Sequence, residues 1–309
     1  MGESSVPMSK YETKSTTTNK EIANLKSRHL AEKAAFGLMW LGGIVTIAIL
    51  AAVVGYVLLQ GVKVIDLEFL TTAPQGGLSG EGGISTTIVT TIYLVLITIV
   101  IATPLGIGAA IYLVEYAGEE KGIVPKLVSI ARFGVETLAG VPSIIFGLFG
   151  YTFFVTALKF GFSLLSAGLA GACLILPVII RTTEEALQTV PRSYREGSLA
   201  LGATKWQTIK NVVLPAALPG IITGIILSVG RVVSETAVFY VTLGGSYRMP
   251  KSIMSGGRTM ALHLYYLAMD TMAFDKAMGT GAILVISIIL INIVINYLSR
   301  RLTAGLKGV

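Results

Sequence analysis

Residues 84–114, ISTTIVTTIYLVLITIVIATPLGIGAAIYLV, run for 31 positions without one charged side chain. About 20 apolar residues suffice to cross the hydrocarbon core of a bilayer. The segment therefore reads as a membrane span, and as a long one. Pro104 within it predicts a kink or a partial exit, because proline removes a helical hydrogen bond and its ring presses on the preceding turn.

Working outward, five further segments have the length and character of spans: 36–59, 133–158, 162–180, 215–240 and 279–298. The chain is thus predicted to be an all-α integral membrane protein with about six transmembrane helices. Pro142 and Pro177 interrupt the third and fourth, and the short link 159–161 makes those two a hairpin. Composition agrees. Of 309 residues, 53% are hydrophobic and 13% charged, with a mean hydropathy of +0.76, whereas a soluble domain carries about 25% charged residues. The 35 glycines suit membrane helices that approach closely through small side chains. Residues 1–20 are polar and read as disordered, and 21–33 as a short helix leading into the membrane. The tail 1–35 is not a signal peptide, since the apolar run after it is too long.

Lys and Arg number 17 in the segments 1–35, 115–132, 181–214 and 299–309, against six in 60–83, 159–161 and 241–278. The positive-inside rule then predicts both termini in the cytoplasm. The net charge of +7 lies between apolar spans, so it does not point to nucleic acid. Cys173 is the sole cysteine, which excludes an internal disulfide, and it reads as a small buried side chain. The segment 241–278 is expected outside, with MALHLYYLAM as an amphipathic stretch on the outer surface or over the pore mouth and His263 at the interface.

The loop after the fourth span carries the most informative motif. In YREGSLALGATKWQTIKNVVLPAALPG, 194–220, Gly202 is a helix C-cap and Thr204 caps a second short helix expected to stop before Pro215. Trp206, Ile209, Val212 and Val213 fall on one face of that helix, an apolar edge that needs a partner or the membrane surface. Glu196, Gly197, Ser198, Gly202, Val212, Leu214 and Pro215 follow the pattern E-G-S-x-x-x-G, nine residues, V-x-L-P. This resembles the "EAA" loop of ABC importer permeases, with Gly197 and Ser198 in place of two alanines. The resemblance covers about residues 80–300, and ETLAGVPSIIFGLFG at 136–150 and GRVVSETA at 230–237 are similar to phosphate permeases of the PstA and PstC kind.

That resemblance implies a MetI-like type I permease fold and a loop that couples to a cytosolic ATPase. It also implies a bacterial cytoplasmic-membrane location and an assembly with a homologous permease, two ATPase subunits and an extracytoplasmic phosphate-binding protein. ATP and Mg would be held by the ATPase partner and no cofactor by this chain, in which no G-x-x-x-x-G-K-[ST] loop occurs. A relative importing another oxyanion and a self-sufficient secondary carrier are the competing readings.

Arg231 and Glu235 lie within the fifth span, four residues apart and so on one face of a continuous helix. Two readings stand: a self-neutralising ion pair, or a phosphate pathway in which the guanidinium holds phosphate oxygens and Glu235 takes it back on release. Glu136 is either a second pathway residue or, near the cytosolic boundary, a solvated helix-start carboxylate; Glu184 and Glu185 read as solvated, and Gly220 with Gly224 as a G-x-x-x-G helix contact.

Overall fold

The structure is a computed structural model that describes residues 9–75, 80–117 and 122–306, with side chains at residue 28 and throughout 32–75, 80–117, 122–297 and at 301. It is all-helical, and no strand occurs among the described residues. Among the described residues five helices have the length and apolarity to cross a membrane, and a bent pair makes a sixth candidate.

The chain divides into two units, Met1–Tyr56 and Val57–Val309. Helix α1 is continuous over Ser9–Gly61. Residues 9–20 are therefore helical, contrary to the expected disorder, and the sequence between Ser9 and Phe36 holds no Gly or Pro to break the helix. The expected tail 1–8 lies outside the described residues. A short α2, Leu67–Thr71, is capped by Asp66, whose side chain accepts the Phe69 N–H.

Helix α3, Ser85–Ile111, passes through Pro104 unbroken and ends in a π-turn, Tyr112–Tyr116. The third expected span is not one straight rod. It divides into α4, Val124–Ala139, and α5, Ser143–Gly150, the latter continued by a π-turn to Ala157, with a bend of 106° between them. Pro142 sits at that break with ψ of 136°, which a helix cannot accommodate. Helix α6, Leu164–Gln188, begins at Ser163, whose hydroxyl accepts the Ser166 N–H. After it come α7, Arg192–Ala200, and α8, Lys205–Thr208.

Here the expected stop before Pro215 is not found. A π-turn, Ile209–Val213, joins α8 directly to α9, Leu214–Ser234, so one helix runs from Lys205 to Ser234. Proline has no N–H to give and clashes with the carbonyl four residues back. The wider π-turn just before Pro215 offers the room that a regular α-helix lacks. The last elements are α10, Ala237–Thr242, α11, Met260–Met269, and α12, Phe274–Leu306.

Helix α6 is the centre of the second unit, with Leu164, Ile175, Ile179 and Leu187 at most 1% exposed. It is packed through small residues. A Cβ on Gly106 would come within 2.6 Å of Ile179 Cγ2, and one on Gly168 within 2.5 Å of Ile97 Cγ2, so α3 and α6 run side by side in one direction. Gly220 faces Ala186 and Gly224 faces Thr182, so the G-x-x-x-G pair is an antiparallel α6–α9 contact. Gly150 meets Ala170 across the α5–α6 hairpin.

Replacing Gly224 by Val would drive a methyl into Thr182. Its thermal unfolding in detergent should show a loss on the order of 1–3 kcal/mol, as overpacked cores do. Gly108→Ala, where an added Cβ meets nothing within 4 Å, should stay within about 1 kcal/mol of the parent.

Candidate functional site

The turn between α6 and α9 is built by local rules. Gly202 takes φ of +84°, the left-handed conformation that glycine adopts without steric cost. Its N–H donates to the Leu199 carbonyl at 2.9 Å, closing α7. Thr204 then opens α8 with a reciprocal cap: its Oγ1 accepts the Gln207 N–H, and Gln207 Oε1 accepts the Thr204 N–H at 2.8 Å. The Ser198 and Thr208 hydroxyls, 2.9 Å apart, hold the two helices together. Glu196 and Gly197 are exposed, and a Cβ on Gly197 meets nothing within 4 Å.

The expected apolar edge is divided. Trp206 is exposed, whereas Ile209 and Val213 are buried, and Val212, Leu214 and Pro215 are half-buried. The cause is the continuous helix: residues 209–215 belong to the base of a membrane helix, and their apolar face packs on the protein itself. The apolar surface that the loop does expose is Tyr194, Leu199, Leu201 and Trp206, with Leu201 at 91% exposure.

Residues that sequence reasoning passed over hold this loop in place. Arg195 Nη2 donates to Glu115 Oε1 at 2.7 Å, its Nη1 to the Val190 carbonyl at 2.7 Å, and Nη2 also to the Leu187 carbonyl at 2.9 Å. Arg132 of α4 donates to the Leu113 carbonyl at 2.8 Å and meets Glu184 at 3.3 Å. Glu184 is thus a partly covered ion-pair member, 14% exposed, while Glu185 pairs with Arg181 at the surface. Arg195 directly precedes the motif glutamate, but nothing in the sequence joins it to Glu115, 80 positions away.

Arg231 and Glu235 do not share a helical face. Helix α9 ends at Ser234, and Glu235 is extended at ψ of 132°. Its Oε1 instead accepts the Val238 N–H at 3.3 Å, at the start of α10. Among the described residues no ion pair joins the two, so neither the self-neutralising pair nor the exchange of partners has its expected geometry. Arg231 is exposed on the uncovered face of α9, in line with Pro219, Thr223, Leu227 and Ser234. The antiparallel register set by Gly220 on Ala186 and Gly224 on Thr182 carries Arg231 to the level of Ile175, half-way along α6. Glu136 is exposed in the last turn of α4, so it is not a helix-start carboxylate.

The segment 241–278 is folded into the protein. Its carbonyls at Ile253 and Ser255 accept the Leu165 and Leu164 N–H groups at 2.9 Å, satisfying the first turn of α6. Met260 N donates to Thr91 Oγ1 at 3.0 Å. Met260, Leu262, His263 and Leu267 of α11 are buried, so α11 is a packed helix and His263 is not interfacial. Burial first, then the charges of Arg258 and Lys276, pushes the His263 imidazole down to about 3. Its Nδ1 lies 3.4 Å from Arg258 Nη1, where a neutral ring can accept. No group of metal-ligating side chains occurs among the described residues.

A bundle of long apolar helices, centred on one small-residue helix and interrupted by an exposed capped loop, has the build of a multi-pass membrane protein. Residues 102–308 match the family model for the binding-protein-dependent transport system inner membrane component. The chain belongs to that family, the permease subunits of ABC importers. A relative in Bacillus subtilis, the probable ABC transporter permease protein YqgI, is 33% identical over 90% of this chain and 100% of its own length. The phosphate transport system permease protein PstA of Yersinia pestis is 33% identical, covering 88% and 86%. PstA 1 of Mycobacterium tuberculosis is 38% identical over 63% of each chain, and the sequence is PstA-like. An inward-facing structure of the MetNI methionine ABC transporter has the same fold, with a TM-score of 0.55 and 23% identity, over 71% of this chain and 94% of the other.

The loop and the outer segment each give an expected outcome. Gly202→Val forces a branched side chain into a left-handed position and should disorder the α7–α8 turn, whereas Gly197→Ala meets open space and should raise helix stability by about 0.5–1 kcal/mol. Limited proteolysis of the loop distinguishes them. For His263 the folded value lies below the ordinary 6.5, so the unfolded chain takes up the proton first. Stability is intact above about pH 6.5 and falls as the pH drops toward 3. His263→Gln should flatten that part of a melting-temperature profile.

Proposed function

We propose that this chain is one pore-forming subunit of an ATP-driven importer of inorganic phosphate in a bacterial cytoplasmic membrane. The observation that carries the reading is Arg231: a guanidinium half-way along the membrane bundle, on an open helix face, with no carboxylate paired to it among the described residues. On insertion scales an arginine at that depth costs about 2.5–3.5 kcal/mol, so it needs a watery cavity or a partner. A pore between this subunit and a homologous permease supplies one, and a phosphate anion passing through it supplies the other. A guanidinium can hold two phosphate oxygens at once.

Relatives named phosphate permeases, at 33–38% identity, support phosphate as the anion. In this reading both termini and the 192–204 loop face the cytoplasm, and an extracytoplasmic binding protein delivers phosphate near the 241–278 segment. A pair of ATPase subunits binds ATP with Mg and docks on the loop. Leu199, Leu201 and Trp206, exposed and apolar, are the surface that such a docked subunit would cover. Glu235 acts by holding the α9–α10 break open beside the pathway.

In the assembled complex reconstituted in vesicles, Arg231→Gln should reduce phosphate uptake at least a hundredfold while the complex still co-purifies. Arg231→Lys, which keeps the charge but loses the two-pronged geometry, should retain an intermediate rate. Uptake at the parental rate in both would overturn the pathway role, and uptake with no ATPase present would replace the importer reading with a self-sufficient carrier.

A further inference from the structure

Helix α7 has no buried residue. Along Arg192–Ala200 only Arg195 and Ser198 are not fully exposed, and they lie three positions apart, on one face. Among the described residues, the side-chain hydrogen bonds from this helix to other elements run through those two residues. Ser198 bonds to Thr208 of α8, the helix that runs on into α9. Arg195 alone of α7 bonds to the end of α6 and to the turn that ends α3. It grips Glu115 with Nη2 at 2.7 Å and Nε at 3.1 Å, and it caps α6 through the Leu187 and Val190 carbonyls. The pair is well covered, with side-chain exposures of 19% for Arg195 and 8% for Glu115.

Glu115 occupies the π-turn Tyr112–Tyr116 that ends α3. The same turn is also held by Arg132, which donates to the Leu113 carbonyl. The three groups border a cavity of about 580 Å³ that also includes Arg192, Gln188 and Glu196. A π-turn carries one residue more per turn than regular helix, and such turns are frequent at functional sites. The space beside it leaves room for the turn to move. A covered, multiply bonded ion pair transmits displacement between the elements that it joins, because breaking it leaves a buried charge unpaired.

We infer that the Arg195–Glu115 pair is the mechanical joint through which movement of α7, driven by a docked ATPase, is passed to the membrane helix α3 by way of its terminal π-turn. The joint rests on the proposed ATP-coupled role of the loop. Arg195 and Glu115 act as positioning residues: they touch neither nucleotide nor transported anion, and their effect is on how hydrolysis is converted into opening. Arg195 provides the grip, and the capped end of α6 provides the fixed point against which the α3 turn is pulled.

Two measurements on the full complex test this. In vesicles, anion transported per ATP hydrolysed is compared for the parent, Glu115→Gln, Arg195→Gln and the double variant. Each single change should lower that ratio at least tenfold, and the double variant should be no worse than either single one, since all three break one joint. An unchanged ratio, or losses that multiply in the double variant, would overturn the joint. If a glutamine variant does not assemble, Glu115→Asp decides in the same way, since it keeps the charge but draws the carboxylate back from Arg195 and should lower the ratio.

The second measurement needs no transported anion. Spin labels on the exposed positions Leu105 of α3 and Ile289 of α12 report their separation with and without nucleotide. Nucleotide should shift it in the parent and not in Glu115→Gln. A shift retained in that variant, or none in the parent, removes the joint. If instead the parent shifts but takes up no phosphate, the substrate reading fails and the joint stands.

Discussion

The close approach of α6 to α3 and α9 is the constraint on which the remaining geometry depends. In a bilayer the lipid tails are as apolar as the side chains, so helices gain little from burying leucine and much from fitting backbone to backbone. Gly106, Gly168, Gly171, Gly220 and Gly224 make that fit, each facing a side chain that a Cβ would strike. The register they impose is what sets the height of every functional group. It places Arg231 opposite the middle of α6, and it brings the end of α3 beside the start of α7.

From that register the polar groups acquire distinct duties according to depth. At the Gln188 end of α6, where water is accessible, the charges are paired and hold elements together: Arg195 with Glu115, Arg132 with Glu184, Arg181 with Glu185. Half-way along α9 and α6, Arg231 has no ion-pair partner among the described residues and faces outward from α9. A charge in that place is costly unless something outside the subunit meets it, which is the ground of the proposed pathway role. At the Leu164 end, carbonyls of the 253–255 segment satisfy the first N–H groups of α6. An otherwise irregular segment is thereby locked down, with neutral His263 buried beneath it.

The interruptions of the helices recur where this arrangement has to bend or move. Pro142 separates α4 from α5, Glu235 and Thr236 separate α9 from α10, and π-turns lie at the ends of α3 and before Pro215. None is a flaw in an otherwise regular bundle. Each lets a helix change direction or register without leaving backbone groups unpaired in an apolar setting, which lipid does not tolerate.

The helical class, about six apolar segments and the capped loop with Gly202 and Thr204 were legible in the sequence, because they follow from local chemistry: apolar run length, a glycine able to adopt positive φ, and side chains that cap the next turn. The family, too, could be read from the motif around Glu196 and Gly202. The tertiary structure alone decided which residues of that motif face inward. Ile209 and Val213 share a face with Trp206 by spacing, yet they are core, since the helix continues through Pro215 and no periodicity count reveals what covers a face. It also decided that Arg231 and Glu235 are separated by a helix end, although their spacing of four suggests a pair. Finally, it joined Arg195 to Glu115 across 80 residues. Such a contact is set by how whole helices stack, and the chain encodes that stacking in the sizes of residues far from either partner.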